Sequence, residues 1–209
     1  MNDKGIRSFS LGALLDVCGR RPEDFYYDGC LISSHVDPED EVPMDLFRFP
    51  VRIDAFALVF CSKGSITLQS NLTRYELGGN SLFIHVPGAI LHVESMRGAE
   101  VFVAACEEEF IRRIDVDLKL ISNLALQLER YPLLHLAPGE WNVLERSIAE
   151  ITDEGVSGSD DPYSREILRP SLRVLIYTAC RLIARHIERE SLRPYSPRAL
   201  RDGSLPRFL

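Results

Sequence analysis

Short apolar runs bounded by turn residues fill the chain up to residue 106, and after it apolar positions recur at three- and four-residue steps. The runs Ala55–Cys61, Ser65–Gln69, Thr73–Leu77, Leu82–Val86, Ile90–Ser95 and Val101–Cys106 are too short for typical helices, and several are rich in Val, Ile and Phe. That is strand chemistry. Turn signals separate them at Ser62-Lys63-Gly64, Gly78-Gly79-Asn80, Pro87-Gly88 and Arg97-Gly98. The regular spacing predicts an antiparallel sandwich or barrel. Ala55–Cys61 is apolar at every position, so one face lines the barrel and the other needs a second layer or a partner. Upstream, Phe9, Ala13, Leu14 and Val17 with Gly19 predict a short helix, and a Tyr27-Asp28-Gly29 turn leads into a strand at Cys30–Ser33. Residues 37–41 read as an acidic solvated loop.

The helical part divides into three. Glu107–Arg130 carries Phe110, Ile114, Leu118, Ile121, Leu124, Ala125 and Leu128 on one stripe, opens on three glutamates and stops at Pro132. A second helix opens at Pro138-Gly139-Glu140 and runs through Trp141, Leu144, Ile148 and Ile151, with Gly155 as its stop. A third runs from about Tyr163 to Glu190, with Pro170 either kinking it or marking its true start. Its stripe is Leu168, Leu172, Leu175, Ile176, Ala179, Leu182, Ile183 and Ile187. Pro194, Pro197 and Gly203 then punctuate a linker-like tail.

Composition narrows the function. A hydrophobic fraction of 45% over 209 residues is enough for a core without disulfides or metals. The net charge of −7 argues against this segment gripping nucleic acid or an anionic membrane itself. Five cysteines, none in a CxxC pair, fit neither a disulfide framework nor a zinc knuckle and read as reduced thiols of a cytoplasmic protein. The only N-terminal apolar stretch, Leu11–Cys18, is short and interrupted by Asp16, so no leader or membrane span is expected. Asn71-Leu72-Thr73 matches a glycosylation sequon by chance on this reading. Nucleophilic triads, Walker loops and dinucleotide fingerprints are absent, and Gly155–Gly158 lacks the strand-before-helix setting of a phosphate loop.

The stretch Gly79-Asn80-Ser81-Leu82-Phe83-Ile84-His85-Val86-Pro87-Gly88-Ala89-Ile90-Leu91-His92 is similar to the second motif of cupins: a glycine turn, a strand, a Pro-Gly turn and a histidine. Ala57–Leu68, turning at Lys63-Gly64, and Asn71–Leu77 resemble the hairpin that precedes it in AraC-type transcription regulators. The order of β-rich half, helices and linker resembles the N-terminal region of that family. The resemblance implies an α+β fold: a cupin-like antiparallel β-barrel of the double-stranded β-helix type, then a helical bundle. It implies a sensing domain over residues 1–106, a helical dimerisation region over 107–190 and a linker over 191–209. In the family a two-part helix-turn-helix domain follows. This chain stops about where that domain would begin, so it reads as a truncated chain or a fragment without its DNA reader, and DNA is reached only through a domain it does not contain.

Candidate chemistry follows from the same residues. Metal cupins hold a transition metal with a His-x-His pair, a carboxylate and a later histidine. Here His92 takes the last position, but Pro50–Asp54 contains no histidine, so no metal, no cofactor and no enzyme activity are expected. Arg48 and Arg52 stand before the most apolar strand and suit a ligand carboxylate or phosphate, or equally a surface pair with Asp45 or Asp54. Phe56, Leu58 and Phe60 share one strand face and suit a pocket wall or plain core. His92 suits the barrel pocket, whereas His85 is expected to point outward. His135 reads as structural and His186 as solvated. The stripe Leu168, Leu172, Leu175, Ile176, Ala179, Leu182 and Ile183 is the candidate homodimer surface, or packs on its own barrel. The reading is an effector-sensing and dimerisation module with a small-molecule effector; a metal-dependent cupin enzyme and a ligand-free dimerisation scaffold are the alternatives.

Overall fold

The structure, a computed structural model, describes residues 6–19, 24–34, 44–47, 49–128, 131–157 and 161–192. The element order is β1 (Arg7–Phe9), α1 (Leu11–Cys18), β2 (Phe25–Tyr27), β3 (Cys30–Ser34), α2 (Met44–Phe47), β4 (Val51–Ile53), β5 (Phe56–Ser70), β6 (Thr73–Leu77), β7 (Ser81–His85), β8 (Ile90–Cys106), α3 (Glu108–Arg113), α4 (Leu118–Leu128), β9 (Leu133–His135), α5 (Asn142–Ser157) and α6 (Ser164–Leu192).

Two long strands organise everything else. β5 and β8 pair antiparallel along nearly their whole length, from Phe56 opposite Cys106 to Ser70 opposite Leu91. The sequence predicts four strands where these two run, because Lys63-Gly64 and Arg97-Gly98 look like turns. They are bends inside continuous strands. The ladder slips between Cys61 and Lys63 and again between Lys63 and Ser65, and such bulges bend a strand sharply. Gly64 has φ +70, and a Cβ there would lie 2.1 Å from the Gly98 carbonyl oxygen, so the two strands approach at the bend where no side chain fits.

The bend makes one sheet into two walls. On one side of it β2, β3, the end of β8, the start of β5, β7 and β9 lie side by side. On the other lie β1, β4, the start of β8, the end of β5 and β6. All the pairings are antiparallel except β1 with β4. The folded-over sheet keeps the expected cupin-like strand layer, but its pairing order runs from β1 to β9 without returning, so the barrel is not closed. Asp28 and Gly29, both at positive φ, make the tight β2–β3 hairpin.

The helices differ from the sequence pattern in instructive ways. Ser10 caps α1, its Oγ accepting from the Ala13 N–H at 3.2 Å, and Gly19 ends it at φ +79. The single helix expected over Glu107–Arg130 is two, broken at Asp115 (φ +56), which lets Ile114 and Val116 on either side of the break both bury. Gly155 does not stop α5. It lies inside the helix because a Cβ there would meet the Phe25 ring at 2.2 Å. Pro170 lies inside α6 and is not its start, which is at Ser164. Among the described residues no helix is long and apolar enough to cross a membrane.

Two buried apolar clusters result. One fills the space between the two walls and takes in Val51, Ile53, Ile66, Leu68, Leu77, Phe83, Leu91, Val101 and Ala105. The other joins the outer face of the first wall to the helices, from Ile32, Phe60, Leu82 and Ile84 to Phe110, Trp141, Leu172 and Ile183. The helices therefore share one continuous core with the sheet.

Candidate functional site

Strand alternation sends the β5 side chains to opposite clusters. Cys61 and Ala57 turn inward between the walls, and Phe56, Leu58 and Phe60 turn toward the helices. The inward space is filled by side chains. Phe83 is fully buried there and its ring meets Tyr75 at 5.5 Å. His85, expected outside, is also buried there. Its Nε2 donates to the Ile53 carbonyl at 3.1 Å, which leaves Nδ1 the unprotonated nitrogen, buried and without a partner. Burial pushes the His85 imidazole below the usual histidine range, opposed by that hydrogen bond and by nearby Asp54.

The open space lies on the other side of the wall. A cavity of about 100 Å³ separates the sheet from the helices. The sheet side chains include Cys30, Ile32, Phe56, Leu58, Ile84, Ala104 and Cys106. The helices supply Ile111, Ile121, Leu124, Ala125, Leu128, Leu175, Ile176, Ala179, Cys180 and Ile183. Every one of these side chains is uncharged and nearly all are hydrocarbon. These side chains offer a polar ligand group almost no partner. Burial pushes the Cys180 thiol up to about 11.

The helical wall is tied down at the middle of α6 and near its C-terminal end. The Asp117 N–H, leading into α4, donates to the Tyr177 hydroxyl at 2.9 Å. Near the C-terminal end of α6, Arg189 pairs with Glu140, whose carboxylate also accepts from the Ala137 N–H at 2.8 Å ahead of α5. These bonds pull the Glu140 carboxyl below its ordinary value, the Ala137 bond most of all.

Of the residues singled out in the sequence, Phe56 and Leu58 line this cavity, and so do Leu175, Ile176, Ala179 and Ile183 of the α6 stripe. Phe60 lies on the same face but stacks on Trp141, ring centroids 4.2 Å apart. Leu168 and Leu172 are buried in the helix-side core, and Leu182 packs against it. The stripe thus lies against its own chain. His92 is half-buried on β8 opposite Gln69 and does not line the cavity. Arg52 does not line it either; its Nε donates to the Gly88 carbonyl at 3.1 Å. Arg48 lies outside the described residues. His186 is buried, not solvated as its arginine neighbours imply. His135 is exposed, its Nδ1 3.2 Å from the Ser81 Oγ. Among the described residues no three His, Cys, Asp or Glu side chains cluster as metal ligands would.

The cavity residues missed in the sequence are the thiols, the α4 set, and Ile32, Ile84, Ala104 and Ile111. Leu124, Ala125 and Leu128 were legible as a helical stripe, but nothing along the chain says that they face Phe56 and Ile84. The three thiols carry no local signal, since Cys30, Cys106 and Cys180 meet only through sheet register and helix docking.

No family model matches the chain, and no curated protein does. Solved structures do match it. One is apo ToxT K231A from Vibrio cholerae, 16% identical, covering 73% of this chain and 56% of its own, with a TM-score of 0.40. A second is the AraC-like transcriptional activator CuxR, 15% identical, covering 81% of this chain and 51% of its own, with a TM-score of 0.35. A third is the cupin domain of Schizosaccharomyces pombe Cnp3, 12% identical, covering 45% of this chain and 70% of its own, with a TM-score of 0.28. The chain spans about half the length of the first two. These likenesses are slight, and the functional reading rests on the cavity.

Proposed function

We propose that the chain is the effector-sensing module of a transcription regulator and that its effector is a small apolar molecule, or an apolar part of a larger one, held between the sheet and helices α4 and α6. The cavity carries this reading: it is an apolar space between the sheet and the helices, and one of its walls is α6. An empty space of about 100 Å³ weakens the fold by roughly 2 kcal/mol at ~24 cal/mol per Å³, so a ligand that fills it stabilises this arrangement over any in which the helices have closed on the sheet. That difference in affinity between two arrangements is what a sensor needs.

The same reading assigns residues 1–106 to sensing, 107–190 to helical dimerisation and 191–209 to a linker, in a cytoplasmic protein that reaches DNA through a domain outside this chain and is not an enzyme. Because the inward stripe of α6 is used within the chain, a homodimer formed through α6 would use its opposite face. Tyr163, Ile167 and Val174 stand exposed there at 71%, 45% and 60%. An effector that shifts α6 would then shift the dimer contact as well.

The test is a thermal-shift and calorimetric titration with redox-inert apolar probes, toluene and medium-chain alkanols, against the wild type and Ala179→Leu. Saturable binding and a raised Tm in the wild type, both lost in the variant that fills the cavity, are the expected result. No binding by any probe to a stably folded dimer would replace the sensor with a ligand-free scaffold.

A further inference from the structure

Cys30 and Cys106 stand directly opposite each other on β3 and β8, their Sγ atoms 3.1 Å apart in the cavity wall. The ladder fixes what kind of pair this is. The Glu107 N–H donates to the Gly29 carbonyl at 2.8 Å, one residue beyond the pair on each strand. Cys30 and Cys106 are therefore a non-hydrogen-bonded pair, in which Cα atoms approach to about 4.5 Å and side chains are closest. That spacing lies at the short end of the ~4.4–6.8 Å range over which two cysteines can be bridged. Closing the bond takes about 1 Å of sulfur movement, to an S–S length of ~2.05 Å.

The two thiols are not equivalent. Cys30 is fully buried, and its hydrogen bond with Cys106 together with burial raises it well above the ordinary thiol range. Cys106 is only half-buried, on the last residue of β8. Cys180, on the helical wall of the same cavity, gives an internal control: a thiol in the same apolar surroundings that is not part of the pair.

We propose that Cys30 and Cys106 form an oxidisable dithiol site whose co-substrate is an apolar organic hydroperoxide admitted by the cavity. The route of entry rests on the proposed ligand-binding reading; the dithiol itself does not. Cys106 sulfur attacks the terminal peroxide oxygen, the O–O bond breaks, and the thiol proton leaves with the alkoxide as an alcohol. The Cys106 sulfenic acid is then attacked by the Cys30 sulfur. Hydroxide departs, takes up the Cys30 proton as water, and the S–S bond forms. Each sulfur gives up one electron and the peroxide takes two. Proximity compensates for the buried, protonated Cys30, because its sulfur is held within reach of the sulfenic acid. A bridge here draws β3 and β8 together at the cavity wall, one residue before the turn into α3.

Peptide mapping by mass spectrometry after exposing the folded full chain to cumene hydroperoxide or to hydrogen peroxide tests this. A Cys30–Cys106 linked peptide, formed roughly tenfold faster with the apolar peroxide because it partitions into the cavity, is the expected result. Dithiothreitol should reverse it, Cys180→Ser should keep it, and Cys106→Ser should abolish it. Absence of the linked peptide from the folded wild type with both peroxides would overturn the site. Equal rates with the two peroxides would overturn the apolar co-substrate. Toluene binding, followed in parallel, separates the two ideas: a wild type that binds toluene but forms no bridge loses the dithiol and keeps the cavity reading, and one that forms the bridge but binds no toluene does the reverse.

Discussion

The two faces of the first wall of the sheet are made by the same strands, yet they pack to different ends. Between the walls, Val, Ile, Leu and Phe from both halves of the bent strands close the space, and even a histidine is buried there with one ring nitrogen unpaired. Toward the helices the strands contribute equally bulky side chains, Phe56, Leu58 and Ile84, but leave room. The difference lies in what each face meets. The inner face meets another part of its own ladder, whose spacing backbone hydrogen bonds hold. The outer face meets helices attached by side chains and a few ties, which can settle at more than one distance. The open space therefore lies not between the walls but at the joint with the helices.

Substitutions can break this contrast. Phe83→Ala removes a fully buried ring from the filled side and should cost about 3–5 kcal/mol, read as a lowered urea midpoint with an unchanged slope. Next comes a matched pair of alanines. Ala105→Leu, buried between the walls, should cost about 1–3 kcal/mol through overpacking. Ala179→Leu, on the cavity, should be neutral or raise stability by up to about 2 kcal/mol. Equal losses for the two would mean that the helix side is as tightly packed as the interior.

The smallest expected effect is on pH. The folded-state pKa of His85 is depressed below the unfolded one. Its neutral form therefore contributes fully above the unfolded value of about 6.5, and that contribution is lost as pH falls through the folded value. Denaturation midpoints measured from neutral to mildly acid pH should fall in the wild type and fall less in His85→Phe. Parallel curves for the two proteins would remove the histidine from the account.

Much of the fold was legible. The two-faced apolar character of β5, the Asp-Gly hairpin and the long stripe of α6 each follow from local pattern. What was lost depended on distant partners. Lys63-Gly64 and Arg97-Gly98 have turn composition, and only their meeting with each other shows that they are opposing bends. Asp115 breaks a helix that no glycine or proline marks, because two apolar side chains on either side of it both find the core. Gly155 looks like a stop and is a clearance for Phe25. His85, expected outside, is buried because it stands two residues after Phe83 on β7 and so shares its inward face. For the site, Phe56, Leu58 and half of the α6 stripe were found by pattern, but their common cavity was not. The Cys30–Cys106 pair depends on a register spanning 76 residues, which composition cannot report.

The bend at Gly64 and Gly98 has a mechanical meaning. Since both walls are stretches of the same two strands, neither can melt by itself without tearing a ladder that continues into the other, and amide exchange in β5 and β8 should slow to one common rate on both sides of the bend. A sheet built this way is a stiff anvil. Any movement that a bound molecule provokes is then left to the helices that lie on it.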